Sequence, residues 1–148
     1  MFKGKYVYRI DSKGRVNIPP SFREMLQSNY DERLVVTNFD LCLVAFPVVE
    51  WDLLKERLQQ LSILKEEALT FMRFFYSGAC QCSLDKQGRI LIPLHLREYA
   101  KFDKEVVIIG VSNRIEVWNK ERWEMFLSES KSLIDSFSAK LLELSQQT

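Results

Sequence analysis

The fold is decided by the stretch Asp11-Ser-Lys-Gly14-Arg15-Val-Asn-Ile18-Pro19-Pro-Ser-Phe22-Arg23-Glu24. It returns at a constant offset of 74 residues, from 11 to 85, as Asp85-Lys-Gln-Gly88-Arg89-Ile-Leu-Ile92-Pro93-Leu-His-Leu96-Arg97-Glu98. An internal repeat of this kind indicates one folded unit used twice. We therefore predict a pseudo-two-fold architecture in which the chain performs its function with two equivalent motifs.

Each copy has the pattern strand, turn, strand, helix, strand, strand, helix. Residues 5–10 and 79–84 alternate as strands do, and the glycine of Asp-x-x-Gly is free to adopt a positive φ in the turn between strands. Proline then ends the second strand and begins a short helix. The second strands are predicted over 15–18 and 89–92.

The rest of each copy is more apolar. Strands are predicted over 34–37 with 41–46 and over 106–109 with 114–118. Helical spacing continues from Trp51 to Leu61 and again over about 65–76, with a weak linker signal at Gln59–Ile63. From Lys120 to about Gln146 the apolar residues fall near a seven-residue repeat, which predicts one long C-terminal helix. We expect this helix to pack partly on the body of its own chain and partly on a neighbouring molecule.

Composition narrows the class of protein. A chain of 148 residues, 47% of them hydrophobic, suits one domain or two very small ones that share a core. No apolar run reaches the roughly 18 residues of a membrane span, and the N-terminus has no apolar signal-peptide core. We therefore expect a soluble cytoplasmic protein that does not contact a membrane.

Positive charge is concentrated in the repeated motifs. The whole chain carries a net charge of only +1, whereas residues 1–23 carry six basic residues and one acidic residue. Residues 76–97 carry three basic residues and one acidic residue, so the remainder of the chain is net negative. This clustering favours an anionic partner, although a solvated basic face would show the same pattern.

The sequence offers little for metal binding or catalysis. Three cysteines, two of them at Cys80 and Cys82, do not make a disulfide framework, and a zinc site would need a second ligand pair besides the single His95. Cys80 and Cys82 align with Tyr6 and Tyr8 of the first copy, which favours packing positions. No nucleophile–histidine set or phosphate-binding glycine loop is present, so we predict a non-enzymatic protein without metal or cofactor.

The repeated Asp-x-x-x-Arg spacing suggests a fixed arginine. In the pairs Asp11–Arg15 and Asp85–Arg89 the carboxylate can accept hydrogen bonds from turn amides and pair with the guanidinium. An arginine held in this way suits phosphate or guanine recognition. The alternative is a purely structural ion pair that closes the turn.

Together these motifs resemble a known family. The pattern Asp-x-x-Gly-Arg-x-x-Ile-Pro is similar to AbrB/SpoVT-type swapped-hairpin motifs, and the chain over about 1–127 resembles the bacterial MraZ family, which has two of them. The resemblance also rests on Met1-Phe-Lys-Gly4, Phe74-Phe-Tyr-Ser-Gly-Ala79 and Asn113-Arg-Ile-Glu-Val-Trp118. It implies an α+β fold in which two tandem β-hairpin/helix repeats, over 5–51 and 79–123, form one β-barrel-like core. Residues 124–148 follow as the C-terminal helix.

The resemblance also implies a function. It implies sequence-specific binding to double-stranded DNA, nucleoid association, ring-like homo-oligomers and regulation, as a repressor, of a division and cell-wall gene cluster. Asp11 and Asp85 would orient the arginines. The predicted DNA contacts are Arg15, Arg89, Lys13, Lys86, Lys3, Lys5 and Arg9. Because the first copy is the more basic, we expect it to bind DNA more strongly than the second.

A second class of function fits the same sequence. An oligomeric protein-interaction scaffold could dock a partner protein through the apolar stripe of the C-terminal helix. Such a scaffold would not need the turn arginines, so arginine substitutions separate the two hypotheses.

Overall fold

The computed structural model describes residues 1–61 and 64–146. Part of the weak linker signal, at residues 62–63, and the last two residues of the predicted C-terminal segment lie outside this range. In the first copy the elements are β1 (Lys5–Arg9), β2 (Arg15–Asn17), α1 (Pro20–Asn29), β3 (Arg33–Phe39), β4 (Cys42–Pro47) and α2 (Val48–Gln59). They continue with α3 (Glu66–Gly78), β5 (Cys80–Ser83), β6 (Arg89–Leu91), α4 (Leu94–Ala100), β7 (Glu105–Val111), β8 (Arg114–Asn119), α5 (Lys120–Glu129) and α6 (Lys131–Gln146).

Strands of the two copies interleave in one antiparallel sheet. Its order is β1-β7-β8-β4-β3-β5. The first strand of each copy thus pairs with a strand of the other copy, β1 with β7 and β5 with β3, while β4 and β8 pair at the centre. The order is the same from either end when the copies are exchanged, as the predicted pseudo-two-fold symmetry requires.

A separate two-stranded ribbon consists of β2 and β6. The register pairs Arg15 with Leu91, Val16 with Ile90 and Asn17 with Arg89. Backbone bonds extend it on both sides, from Ile18 N–H to Gly88 O at 3.0 Å and from Ile92 N–H to Gly14 O at 2.9 Å. The ribbon is therefore a second place where the copies are joined.

The sheet separates two hydrophobic cores because its strands alternate in the direction of their side chains. The first core lies between the sheet and the ribbon and includes Val16, Ile90, Phe22 and Leu96. The second lies on the opposite face of the sheet under α2, α3 and α5, with Trp51, Phe75 and Trp118 among its members. The ribbon and α2 therefore stand on opposite sides of the sheet.

The C-terminal helix is present with one interruption. Ser130 ends α5 with φ −98° and ψ 3°, and its N–H reaches the carbonyl oxygens of Phe126 and Leu127. The Ile134 N–H then donates to Ser130 O at 3.0 Å, so α6 begins directly. No residue of α6 is buried.

These features confirm the α+β class with two repeats and a C-terminal helix. The short helices begin at the prolines as predicted, α1 after Pro19 and α4 after Pro93, and they bury Phe22, Leu26, Leu96 and Ala100. Within 1–61 and 64–146 every helix is too short or too polar to cross a membrane.

Candidate functional site

The first turn holds Arg15 through a network centred on Asp11. Asp11 Oδ1 accepts hydrogen bonds from the backbone N–H groups of Lys13 (3.0 Å) and Arg15 (2.8 Å). Its Oδ2 accepts the Nε–H of Arg15 at 2.6 Å, a charge-assisted bond. Gly14 closes the turn at φ 96°, a conformation that strains residues with a Cβ.

The second turn repeats this network. Asp85 Oδ1 accepts hydrogen bonds from the backbone N–H groups of Gln87 (2.8 Å) and Arg89 (2.9 Å), and its Oδ2 accepts Arg89 Nε–H at 3.0 Å. Gly88 takes φ 76° in the place of Gly14. The sequence prediction that each aspartate pairs with its arginine across the turn is confirmed.

Hydrogen bonds to the two carboxylates favour their ionised forms. The hydrogen bond from the backbone N–H of Arg15 is the largest cause that lowers the pKa of Asp11, to about 2, and the side chain and charge of Arg15 and the amide of Lys13 add to it, while desolvation of the carboxylate opposes the shift. The backbone N–H of Arg89 is the largest cause that lowers the pKa of Asp85. Both carboxylates are thus charged at neutral pH and hold their arginines as ion pairs.

The ribbon places both arginines on one surface. Val16 and Ile90 are buried against the first core, so the alternate positions Arg15 and Arg89 point outward. Two residues of strand, or roughly 7 Å along the ribbon, separate them. Their side chains remain 34% and 25% exposed, and each pairs with its aspartate through Nε rather than through a terminal guanidinium nitrogen.

The other predicted basic residues divide into two groups. Lys13 and Lys86 are exposed on the turns themselves, beside the arginines. Lys5 and Arg9 are exposed on the edge strand β1, where they alternate with Tyr6 and Tyr8, which pack on the first core. Lys5 and Arg9 therefore point away from the ribbon side of the sheet. Lys3 is exposed just before that strand.

Two residues share the outward face of the ribbon and were not predicted from the sequence. Asn17 is exposed opposite Arg89, and Leu91 is 56% exposed opposite Arg15. The alternation of Arg-Val-Asn and Arg-Ile-Leu was the available signal, because it places these residues on the same side as the arginines. From here on, "the outward face" means Arg15, Asn17, Arg89 and Leu91.

The cysteines lie in packing positions. Cys82 belongs to the first core, Cys80 packs against it, and burial raises the pKa of the Cys82 thiol to about 12. A protonated thiol is a poor metal ligand. Across the described ranges 1–61 and 64–146, no group of three or more His, Cys, Asp or Glu side chains could hold a metal ion.

Comparison with known proteins agrees with this geometry. The family described as the MraZ protein, and as antitoxin-like, matches the chain twice, over residues 1–74 and 75–144. These two matches correspond to the two copies of the repeat.

Named relatives extend over nearly the whole chain. A transcriptional regulator MraZ from Pelotomaculum thermopropionicum is 45% identical over 144 residues, 97% of this chain and 97% of the relative. Proteins of the same name from Natranaerobius thermophilus and Desulforamulus reducens are each 42% identical over 97% of this chain and cover 98% and 99% of their own lengths. All three relatives are named as transcriptional regulators.

Proposed function

The chain belongs to the MraZ family, and on that premise we propose that it is a transcription regulator that binds double-stranded DNA in a sequence-specific manner. The observation that carries this proposal is the outward face, where two arginines, each fixed by an aspartate, lie on one surface two residues apart along the ribbon. Fixed guanidinium groups suit both bidentate contacts with guanine and clamping of phosphates.

The roles of the site residues follow from their positions. Arg15 and Arg89 contact base edges or phosphates in a groove, and Lys13 and Lys86 neutralise phosphates beside them. Asp11 and Asp85 do not touch DNA but orient the arginines. Further phosphate contacts, on a more distant part of the duplex or on a second site, come from Lys3, Lys5 and Arg9.

One subunit has a small contact surface, so assembly matters for affinity. Several subunits that engage short repeated promoter sites would gain by avidity. We propose a ring-like homo-oligomer, located in the cytoplasm on the nucleoid, that represses the division and cell-wall gene cluster by occluding its promoter. The exposed apolar side chains of α6, among them Leu133, Ile134 and Phe137, support self-association through this helix.

A gel-shift assay tests whether the two turn arginines contact DNA. The probe is the DNA upstream of the gene cluster that contains this gene, and the variant is Arg15→Ala with Arg89→Ala at matched salt. Loss of a good bidentate contact costs about 1–3 kcal/mol, so we expect affinity to fall by at least tenfold for the pair of changes. Unchanged affinity would show that these arginines are not the DNA contacts.

The matched control is Arg57→Ala. Arg57 is an exposed arginine of α2, which packs on the second core and so stands on the opposite side of the sheet from the ribbon. Its removal lowers the net charge by one without touching the outward face. If Arg57→Ala weakens binding as much as a single turn substitution does, the effect is one of general charge.

The scaffold hypothesis remains the second candidate because the apolar stripe of α6 is exposed along its whole length. A scaffold would show little retention on DNA or heparin, and its partner protein would still be captured after the arginine substitutions. DNA binding that is lost with the arginines contradicts it.

A further inference from the structure

Each turn is covered by an arginine that comes from the other copy of the repeat. Arg97 of α4 lies over Gly14, so close that a Cβ on Gly14 would be 2.5 Å from Arg97 Nε and 2.7 Å from its Cζ. Arg23 of α1 lies over Gly88 in the same way, with its Cδ 2.6 Å from the position of such a Cβ. The two arginines are themselves equivalent under the 74-residue repeat.

The contact with Gly14 is part of a connected set of hydrogen bonds. Arg97 Nε–H donates to Ile92 O at 2.9 Å, and Ile92 N–H donates to Gly14 O at 2.9 Å. Arg97 and Ile92 belong to the second copy, and Gly14 to the first. The guanidinium of Arg97 thus packs on the turn, while Ile92, from the same copy as Arg97, binds the carbonyl oxygen of Gly14 in that turn.

The equivalent contact at Gly88 is less complete. Ile18 N–H donates to Gly88 O at 3.0 Å, as Ile92 N–H does to Gly14 O. Arg23 Nε, however, is buried and has no hydrogen-bond partner among the described residues. Arg23 therefore covers its turn by packing alone, whereas Arg97 also donates a hydrogen bond to Ile92, the residue whose N–H binds the turn carbonyl of Gly14.

We propose that Arg97 and Arg23 are positioning residues for the DNA-contacting arginines of the opposite copy, Arg97 for Arg15 and Arg23 for Arg89. The proposal rests on the proposed function, because it assigns those two arginines to DNA. It means that each contact unit is a composite: the aspartate and arginine come from one copy, and the residue that covers their glycine comes from the other. The two copies then cannot act as independent modules.

Amide hydrogen exchange in the DNA-free, full-length protein tests the structural half. Gly14 N–H donates to Asp11 O and Arg15 N–H donates to Asp11 Oδ1, so both amides report on the first turn. Arg97→Ala should speed exchange at these two amides by about fivefold, the equivalent of one lost hydrogen bond, and leave Gly88 and Arg89 unchanged. Arg23→Ala should do the reverse with a smaller effect.

A double-mutant cycle tests the functional half. In an Arg89→Ala background the first turn holds the remaining DNA-contacting turn arginine, and there Arg97→Ala should weaken binding to the promoter fragment by about fivefold. In an Arg15→Ala background the same change should alter binding by less than twofold. General damage to the fold would weaken both backgrounds equally, and that outcome would overturn the proposal.

Further variants keep the test decisive. Arg97→Lys retains the charge but has no Nε–H and no planar group over Gly14, so it should behave like Arg97→Ala, and parental exchange in this variant would overturn the proposal. It also replaces Arg97→Ala if the latter does not fold. If the parent protein fails to bind DNA, the proposed function falls while the exchange measurements still decide whether the turns are held across the copies.

Discussion

Asp11 shows how one carboxylate determines the direction of a functional side chain. One oxygen accepts two backbone amides of the turn and the other accepts Arg15 Nε–H. Because different atoms do the two tasks, the turn and the arginine can be perturbed separately. Asp11→Asn keeps an oxygen for the amides and replaces the acceptor of the arginine with a donor.

The charge of Asp11 can be followed by pH. Its pKa in the folded protein is about 2, below the ordinary value of 3.8 for an aspartate. A carboxylate with a depressed pKa contributes stability that is fully present above its unfolded pKa, so the contribution of Asp11 is lost as pH falls from about 4 through 2. We expect an NMR titration of the Asp11 carboxyl carbon to have its midpoint near 2, and a midpoint at or above 3.8 would contradict the network.

Gly14 carries two constraints, which a matched glycine separates. Gly4 has nearly the same φ, 97° against 96°, but a Cβ there meets only the movable ring of Tyr6 at 3.3 Å. Gly4→Ala should therefore cost only the left-handed strain of about 1–2 kcal/mol in the free energy of unfolding. Gly14→Ala adds overlap with Arg97 and with Ile92 O and should cost at least about 1 kcal/mol more.

Urea denaturation of both glycine variants measures this difference. Equal losses for Gly4→Ala and Gly14→Ala would mean that Arg97 moves aside without cost. In that case the turn would be held by its own residues alone.

At the scale of elements, α3 is fixed to the sheet by a buried polar contact. Thr37 of β3 is fully buried, and its Oγ1 donates to Phe75 O at 2.5 Å, near the end of α3. Carbonyl groups in the last turn of a helix lack partners within the helix, so a side-chain donor satisfies one of them. This bond links α3, the helix that connects the two copies, to strand β3 of the sheet.

Thr37→Val keeps the shape of the side chain and removes the donor. The buried carbonyl of Phe75 then loses this partner, and we expect the free energy of unfolding to fall by about 1–3 kcal/mol. Ser77→Ala is the control, since the exposed Ser77 hydroxyl makes a similar bond to Phe74 O at 3.0 Å and its loss should change stability by no more than about 0.5 kcal/mol. If Thr37→Val and Ser77→Ala lose the same free energy of unfolding in urea denaturation, the buried bond has no special role.

The C-terminal helices differ in what they contribute. Trp123 and Phe126 of α5 pack on Trp118 in the second core, whereas α6 has no buried residue. Deleting residues from Lys131 onward should therefore leave the free energy of unfolding of the body nearly unchanged and abolish assembly, as measured by light scattering after size-exclusion chromatography. Retained assembly would move the subunit contact to another surface.

At the scale of the whole molecule, the two copies are related by the repeat but differ in charge around their turns, with a net +5 over residues 1–23 and +2 over residues 76–97. Lys13 of the first turn takes the position of Gln87 in the second, and Ser12 takes the position of Lys86, so each turn carries one lysine at a different position. The additional cations of the first copy, Lys3, Lys5 and Arg9, precede its turn. Lysines that neutralise phosphates release counterions, which makes binding depend on salt.

Lys13→Gln removes the lysine of the first turn and puts there the residue found at position 87. We expect the slope of log K against log salt to become shallower by roughly 1, with Gln87→Lys making it steeper by a similar amount. Lys55→Gln, on α2 at the other side of the sheet, is the control and should leave the slope unchanged. An equal change of slope in all three variants would mean that net charge matters rather than the turns.

The sequence by itself determined everything that local physics controls in this protein. The glycine turns, the aspartate–arginine pairs, the strand alternation and the amphipathic helices depend on residues close together in the chain, and the structure confirms them. The repeat also predicted the pseudo-two-fold symmetry, since segments with the same pattern of turn, strand and helix residues adopt the same local structure. The bounds of individual strands differed by only a few residues.

Only the tertiary structure decided which copy each strand and each arginine would contact. Alternation shows which side chains of β1 or β2 are buried, but it does not show that β1 pairs with β7 and β2 with β6. Nor does it show that Arg97 covers Gly14 from the other copy. These contacts depend on packing between residues distant in sequence. The first core is filled and the ribbon is paired only when the two repeats interleave.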